Sequence, residues 1–208
     1  EAFMSAPLRL GIAGLGTVGI GVIKIIQKHA DLLSARSGRP VTITAVSARD
    51  RMKNRDADLS AYAWEDDPVK LAMRNDVDIY VELIGGDEGV ARESVELALK
   101  SGKDVVTANK ALLAMHGQEL AELAEENGQV IRFEAAVAGG IPVIKTMTES
   151  LAGNHITRVM GVMNGTCNYI LTRMESAGLP YAAVFEEARQ LGYLEADPTL
   201  DVGGIDAS

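Results

Sequence analysis

Gly11-Ile12-Ala13-Gly14-Leu15-Gly16-Thr17-Val18-Gly19 joins a stretch with the period of a strand to one with the period of a helix. Ahead of the turn, Leu8, Leu10 and Ile12 alternate with Arg9 and Gly11. Beyond it, from Val18, the residues Val22, Ile25, Ile26, His29 and Leu32-Leu33 recur at helical spacing. Gly14, Gly16 and Gly19 form a G-x-G-x-x-G pattern, weak alone in a glycine-rich chain but specific between a strand and a helix. The first glycine permits a tight turn, the second lets a pyrophosphate approach the backbone, and the third allows close helix–strand packing. The phosphates then meet the unpaired N–H groups and positive dipole of the helix start. Gly14, Leu15, Gly16, Thr17, Val18 and Gly19 are therefore expected to bind a dinucleotide.

Downstream, Ser37-Gly38-Arg39-Pro40 ends the helix and Val41 to Val46 reads as a second strand. Asp50 to Asp67 is polar and reads as loop. Val77 to Ile84 is a third strand ending in Gly85-Gly86, which adds Ile84 and Gly85 to the cofactor set. A helix at Val90 to Lys100, a strand at Asp104 to Thr107, a helix at Leu112 to Glu126 and a strand at Val130 to Val137 follow. Alternating strands and helices predict an α/β, doubly wound parallel sheet with helices on both faces, a Rossmann domain over residues 1–137. After Gly139-Gly140 the texture changes. Helices are expected at Pro142 to Leu151, Asn168 to Met174 and Tyr181 to Leu191, with a strand at His155 to Met163. Residues 138–208 are thus expected to be a second, α+β domain.

The chain has 208 residues, 47% of them hydrophobic, enough for a real core. A net charge of -9 argues against nucleic acid or an anionic membrane as the main partner. The apolar runs are strand-sized, and the first residues lack the pattern of a signal peptide. Cys167 is the single cysteine, which suits a reducing cytoplasm.

Three features carry chemistry. Val46-Ser47-Ala48-Arg49-Asp50 ends the second strand, where an NAD site usually places an acid to hold the ribose 2′-hydroxyl. Here Ser47 stands instead and Arg49 follows, with Arg51 and Lys53 nearby. Arg can pair with a 2′-phosphate, which favours NADP or dual use. Thr107-Ala108-Asn109-Lys110 joins a strand to a helix start, and a desolvated ammonium at the positive end of a helix dipole loses its proton more readily. Finally, Gln190 to Ser208 carries Glu195, Asp197, Asp201 and Asp206 and no Lys, Arg or His. Such acids suit a cationic ligand. Cys167 could serve as the nucleophile of a phosphorylating semialdehyde dehydrogenase, but the only nearby histidine, His155, begins an expected strand.

Five stretches together resemble homoserine dehydrogenase. They are Gly11 to Gly19, Thr107 to Lys110, Glu134 to Pro142 (EAAVAGGIP), Asn164 to Ile170 (NGTCNYI), and Gly192 to Pro198 (GYLEADP) with Asp201 to Asp206. The resemblance implies interconversion of L-aspartate 4-semialdehyde and L-homoserine with NAD(P)H. It makes Glu195 and Asp206 substrate ligands, Lys110 a residue of binding and proton transfer, and Gly192 a cofactor contact. It also implies a monovalent cation, sodium by family habit, at Glu134, Val137, Gly139 and Ile141, and a homodimer built through the second domain. The family's second catalytic lysine would fall just beyond Ser208, so the chain is expected to be an N-terminal piece with an incomplete second domain, inactive alone.

Overall fold

The computed structural model describes residues 6–162 and 164–193. The chain separates into two compact units, one through Gly153 and one from Asn154. This division by packing and the seam drawn after residue 137 differ by the segment 138–153.

The first unit is built on β1 (Leu8–Ala13), β2 (Val41–Ser47), β3 (Ala63–Glu65), β4 (Ile79–Glu82), β5 (Asp104–Thr107) and β6 (Ile131–Arg132). They form one sheet in the order β3-β2-β1-β4-β5-β6, with every pairing parallel. The order reverses between β1 and β4, so the crevice at their carboxyl ends is where such a sheet binds ligands. Side chains alternate between two cores. On one face, Ile12, Leu15, Ile23, Ile43, Val46 and Val81 pack beneath α1 (Thr17–Lys28). On the other, Ala13, Ala45, Tyr80 and Val105 pack with α3 (Pro68–Ala72), α4 (Val90–Lys100) and α5 (Lys110–Glu126). Between Leu10 and Gly11 the register with β2 slips by one: Leu10 faces Ile43, but Gly11 faces Ala45. This bulge leaves Thr44 as an extra residue on β2.

Several expected elements differ. The first helix breaks at His29 (φ -118°, ψ 25°), and α2 (Ala30–Ser37) continues from there. The polar stretch 50–67 contains the short β3. The strand expected over Val130 to Val137 stops at Arg132, and Glu134–Val137 forms a helical turn, α6. Both Glu134 oxygens accept backbone N–H groups, from Ile144 at 3.1 Å and Lys145 at 2.8 Å. Those bonds hold the start of α7 (Val143–Lys145), which runs into a π-helical turn at Thr146–Ser150 rather than one regular helix. Residues 155–162, expected as a strand, have no regular structure and are exposed.

In the second unit α8 (Gly165–Ala177) is longer than expected. Its cap is the Asn164 side chain, which accepts the Cys167 N–H at 2.7 Å. Helix α9 (Tyr181–Gln190) packs on it through Ile170, Val184 and Ala188. Tyr169 and Arg173 both donate to Glu187, at 2.8 and 3.1 Å, which draws that carboxyl below its ordinary range.

Candidate functional site

The glycine turn has the geometry its spacing implies. Gly14 has φ 97°, and a Cβ there would lie 2.2 Å from the Leu83 carbonyl oxygen. At Gly19 a Cβ would lie 2.0 Å from the Gly14 carbonyl oxygen, so only glycine lets α1 start this close to β1. Gly16 is different: a Cβ there would meet nothing within 4 Å. Its freedom of side chain is not a packing need of the protein, which leaves room for a ligand against the backbone. Gly16 is also the N-cap of α1 and the first turn carries no acid. Its N–H groups are thus available to an anion. A dinucleotide pyrophosphate fits these residues.

The ends of three strands meet here. The Gly14 N–H donates to the Ser47 carbonyl at 2.9 Å, and the Leu83 N–H to the Ala13 carbonyl at 2.7 Å. A cavity of about 550 Å³ opens at this edge, lined by Gly14, Leu15, Gly16, Ser47, Arg49, Lys53, Arg55 and Ile84, among others. Ser47 is fully buried, and its hydroxyl makes no hydrogen bond among the described residues. Arg49 is exposed on the rim. Arg55 was not singled out from sequence, because nothing in its spacing marks it. Its guanidinium donates to the carbonyls of Leu15 (3.2 Å), Lys53 (3.0 Å) and Asp50 (2.8 Å) and lies 5.6 Å from the Trp64 ring centre. It thereby fixes the basic loop against the glycine turn.

On the far side of the switch point, Lys110 is the first residue of α5 and is exposed. Asn109 caps that helix, its Oδ1 accepting the Leu112 N–H at 3.1 Å. The residue that sequence reasoning missed outright is Glu82, the last of β4 and wholly buried. Its carboxylate accepts the Ile84 N–H at 2.7 Å, the Gly85 N–H at 3.1 Å, the Thr107 hydroxyl at 2.6 Å and the Asn109 amide at 3.5 Å. A charged residue closing an apolar strand was the available signal.

Gly14, Leu15, Gly16, Arg49 and Ile84 thus share one cavity. Thr17 and Val18 are exposed on the first turn of α1, while Gly19 is buried under it. Gly85 is held by Glu82. Glu134, Val137, Gly139 and Ile141 follow one another through and beyond α6, where the Ile141 carbonyl accepts the Val143 N–H at 2.8 Å. Gly192, with φ 77°, follows α9 in the second unit. Glu195 and Asp206 lie outside the described residues. No helix among the described residues is long and apolar enough to cross a membrane.

Comparison with known proteins agrees with this geometry. The model of the homoserine dehydrogenase NAD binding domain matches residues 14–134, and the homoserine dehydrogenase model matches residues 142–208. A homoserine dehydrogenase of Bacillus subtilis is 49% identical over 201 residues, covering 97% of this chain and 46% of the relative. The crystal structure of a homoserine dehydrogenase from Thiobacillus denitrificans superposes with a TM-score of 0.89 at 42% identity, over 97% of this chain and 46% of that one. A hyperthermophilic archaeal homoserine dehydrogenase in complex with NADPH gives 0.81 at 32% identity, over 97% of this chain and 66% of that one. The chain spans about half the length of the curated relatives it matches.

Proposed function

This chain belongs to the homoserine dehydrogenase family, and on that footing we propose that it serves the NAD(P)-dependent interconversion of L-homoserine and L-aspartate 4-semialdehyde. The observation that carries this is the glycine turn, open at Gly16 and closed at Gly14 and Gly19, at the mouth of the cavity shared with Ser47, Arg49 and Ile84. The nicotinamide, when bound, gives or takes the hydride. The chain's own residues do the rest. N–H groups at the start of α1 hold the pyrophosphate. Ser47 and Arg49 suit an NADP 2′-phosphate better than a bare ribose, because β2 ends on a hydroxyl rather than a carboxylate and Arg49, Lys53 and Arg55 outnumber Asp50 and Asp66 around the cavity. NADPH in the archaeal relative is in keeping with that choice.

Lys110 would orient the substrate oxygen and exchange a proton with it as that oxygen shifts between carbonyl and hydroxyl. Glu195 and Asp206 would hold the substrate's ammonium and hydroxyl groups, with Gly192 against the cofactor. Oxygen donors at Glu134, Val137, Gly139 and Ile141 suit a hard monovalent cation such as sodium, and a carbonyl bound by one N–H keeps a second lone pair for it. A homodimer in the cytoplasm, acting on a small molecule and not on nucleic acid or membrane, completes the proposal. The test is homoserine-dependent reduction of NADP⁺ by the complete gene product. A product that binds NADPH but is inert toward both homoserine and aspartate semialdehyde would overturn it.

A further inference from the structure

Glu82 buries a carboxylate completely, and every group it touches is a neutral donor: two main-chain N–H groups, a hydroxyl and an amide. Taking an ion out of water costs several kcal/mol unless its lone pairs are filled. An ionised carboxylate is the one side chain that accepts from four donors and presents none of its own. The donors come from two different turns. Ile84 and Gly85 belong to the turn after β4, where Gly85 and Gly86 have φ 85° and 86°. Thr107 and Asn109 belong to the turn after β5, which delivers Lys110. Asn109 ties the two again, since its amide donates to the Gly86 carbonyl at 2.7 Å and its N–H to the Thr107 hydroxyl at 2.9 Å. Both turns lie on the β4–β6 side of the switch point, the half of such a sheet that takes the second nucleotide of the pair.

We propose that Glu82 is the positioning residue of the nicotinamide half of the site, locking the turn after β4 and the start of α5 into one arrangement. This rests on the dinucleotide reading given above, and goes beyond it in assigning the role to a residue that the ligand need not touch. The adenine half is built from Gly14 to Gly19 and Ser47 to Arg49, with Ile84 of the β4 turn at its edge.

Glu82→Gln separates the two halves. The glutamine oxygen can still accept from Ile84 and Gly85. Its NH₂ would face the Thr107 hydroxyl oxygen, which already accepts from Asn109, and would leave the hydroxyl proton without its acceptor. The β4 turn stays tethered while the short Thr107 bond is lost, leaving the β5 turn held only through Asn109. Affinities for NADPH and for 2′,5′-ADP, which carries only the adenine half, are measured by titration on the same preparations. NADPH binding should weaken at least fivefold, with 2′,5′-ADP binding unchanged within twofold. Thr107→Val, which keeps the glutamate and removes one donor, should weaken NADPH in the same direction and serves if Glu82→Gln fails to fold. Equal weakening of both ligands, or of neither, overturns the assignment. An unsubstituted protein that binds neither ligand instead overturns the dinucleotide reading on which it rests.

Discussion

Two glycines three residues apart should respond to the same substitution in opposite ways. At Gly19 an added Cβ sits 2.0 Å from the Gly14 carbonyl oxygen. An optimal contact is about 3.5 Å, so backbone must move by roughly 1.5 Å against backbone. Neither partner has a side chain that could rotate away. Overpacking of this kind costs about 3 kcal/mol, a large share of the ~5–15 kcal/mol a domain has. Gly19→Ala should therefore lower the melting temperature by roughly 6–12 °C. At Gly16 the methyl meets nothing, and φ -80° is open to any residue. Loss of glycine's fit at an N-cap and the lower entropy of the unfolded chain nearly offset, leaving stability within about 0.5 kcal/mol. Yet the methyl stands where the pyrophosphate must approach, so NADPH binding should fall at least ~30-fold, or about 2 kcal/mol. Thermal melts by circular dichroism and titration of NADPH fluorescence read the two effects. A Gly16→Ala protein that binds NADPH like its parent, or a Gly19→Ala protein that melts like its parent, would refute the reasoning.

Other outcomes follow from the same geometry. Arg49→Ala should weaken NADP(H) about tenfold and NAD(H) little, since only the former has a 2′-phosphate to pair; equal losses in parallel titrations would remove Arg49 from that role. Lys110→Ala in the complete gene product should lower kcat at least ~100-fold with a smaller change in KM, and a near-normal kcat would take it off the proton path. Asp78 accepts two bonds from the Arg9 guanidinium, at 3.0 and 2.6 Å, and one from its N–H, which holds its pKa below the ordinary 3.8. That pair contributes stability above pH 3.8 that is lost as pH falls through the depressed value. Asp78→Asn should cost about 1 kcal/mol at neutral pH, and urea titrations of the two proteins should converge once the carboxyl is protonated; a gap constant down to pH 2 would count against the pair.

The parts of the fold that were legible in sequence are those whose signal is local. A strand, a glycine turn and a helix lie contiguous at residues 8–28, and each pattern there has one structural solution. β3 was invisible because Ala63-Trp64-Glu65 is only three residues long and owes its form to pairing with β2. Val130 to Val137 misled because alternation states a preference, not a partner. Phe133 bends away from strand geometry, at φ -137° and ψ 23°, and Glu134 fastens the chain to the start of α7. The alternating His155 to Val162 shows the same limit, with no strand beside it among the described residues. In the site, the glycines and Ser47 could be read because a turn and a strand end fix their neighbours. Glu82 could not, because its meaning lies in Thr107 and Asn109, which only the sheet brings beside it.

The bulge between β1 and β2 bears on cofactor choice. Ile43 and Val46 share a face although they stand three positions apart, because Thr44 takes no place in the register. Ser47 consequently returns to the face of Ala45. Delete Thr44, and Ala45, Val46 and Ser47 keep their partners on β1 and their faces, because only the residue outside the register is lost. Which atom greets the ribose is therefore insulated from a one-residue change of length at this point of the strand. Loss of the Thr44 codon should therefore leave the preference between the two cofactors where Ser47 and Arg49 set it.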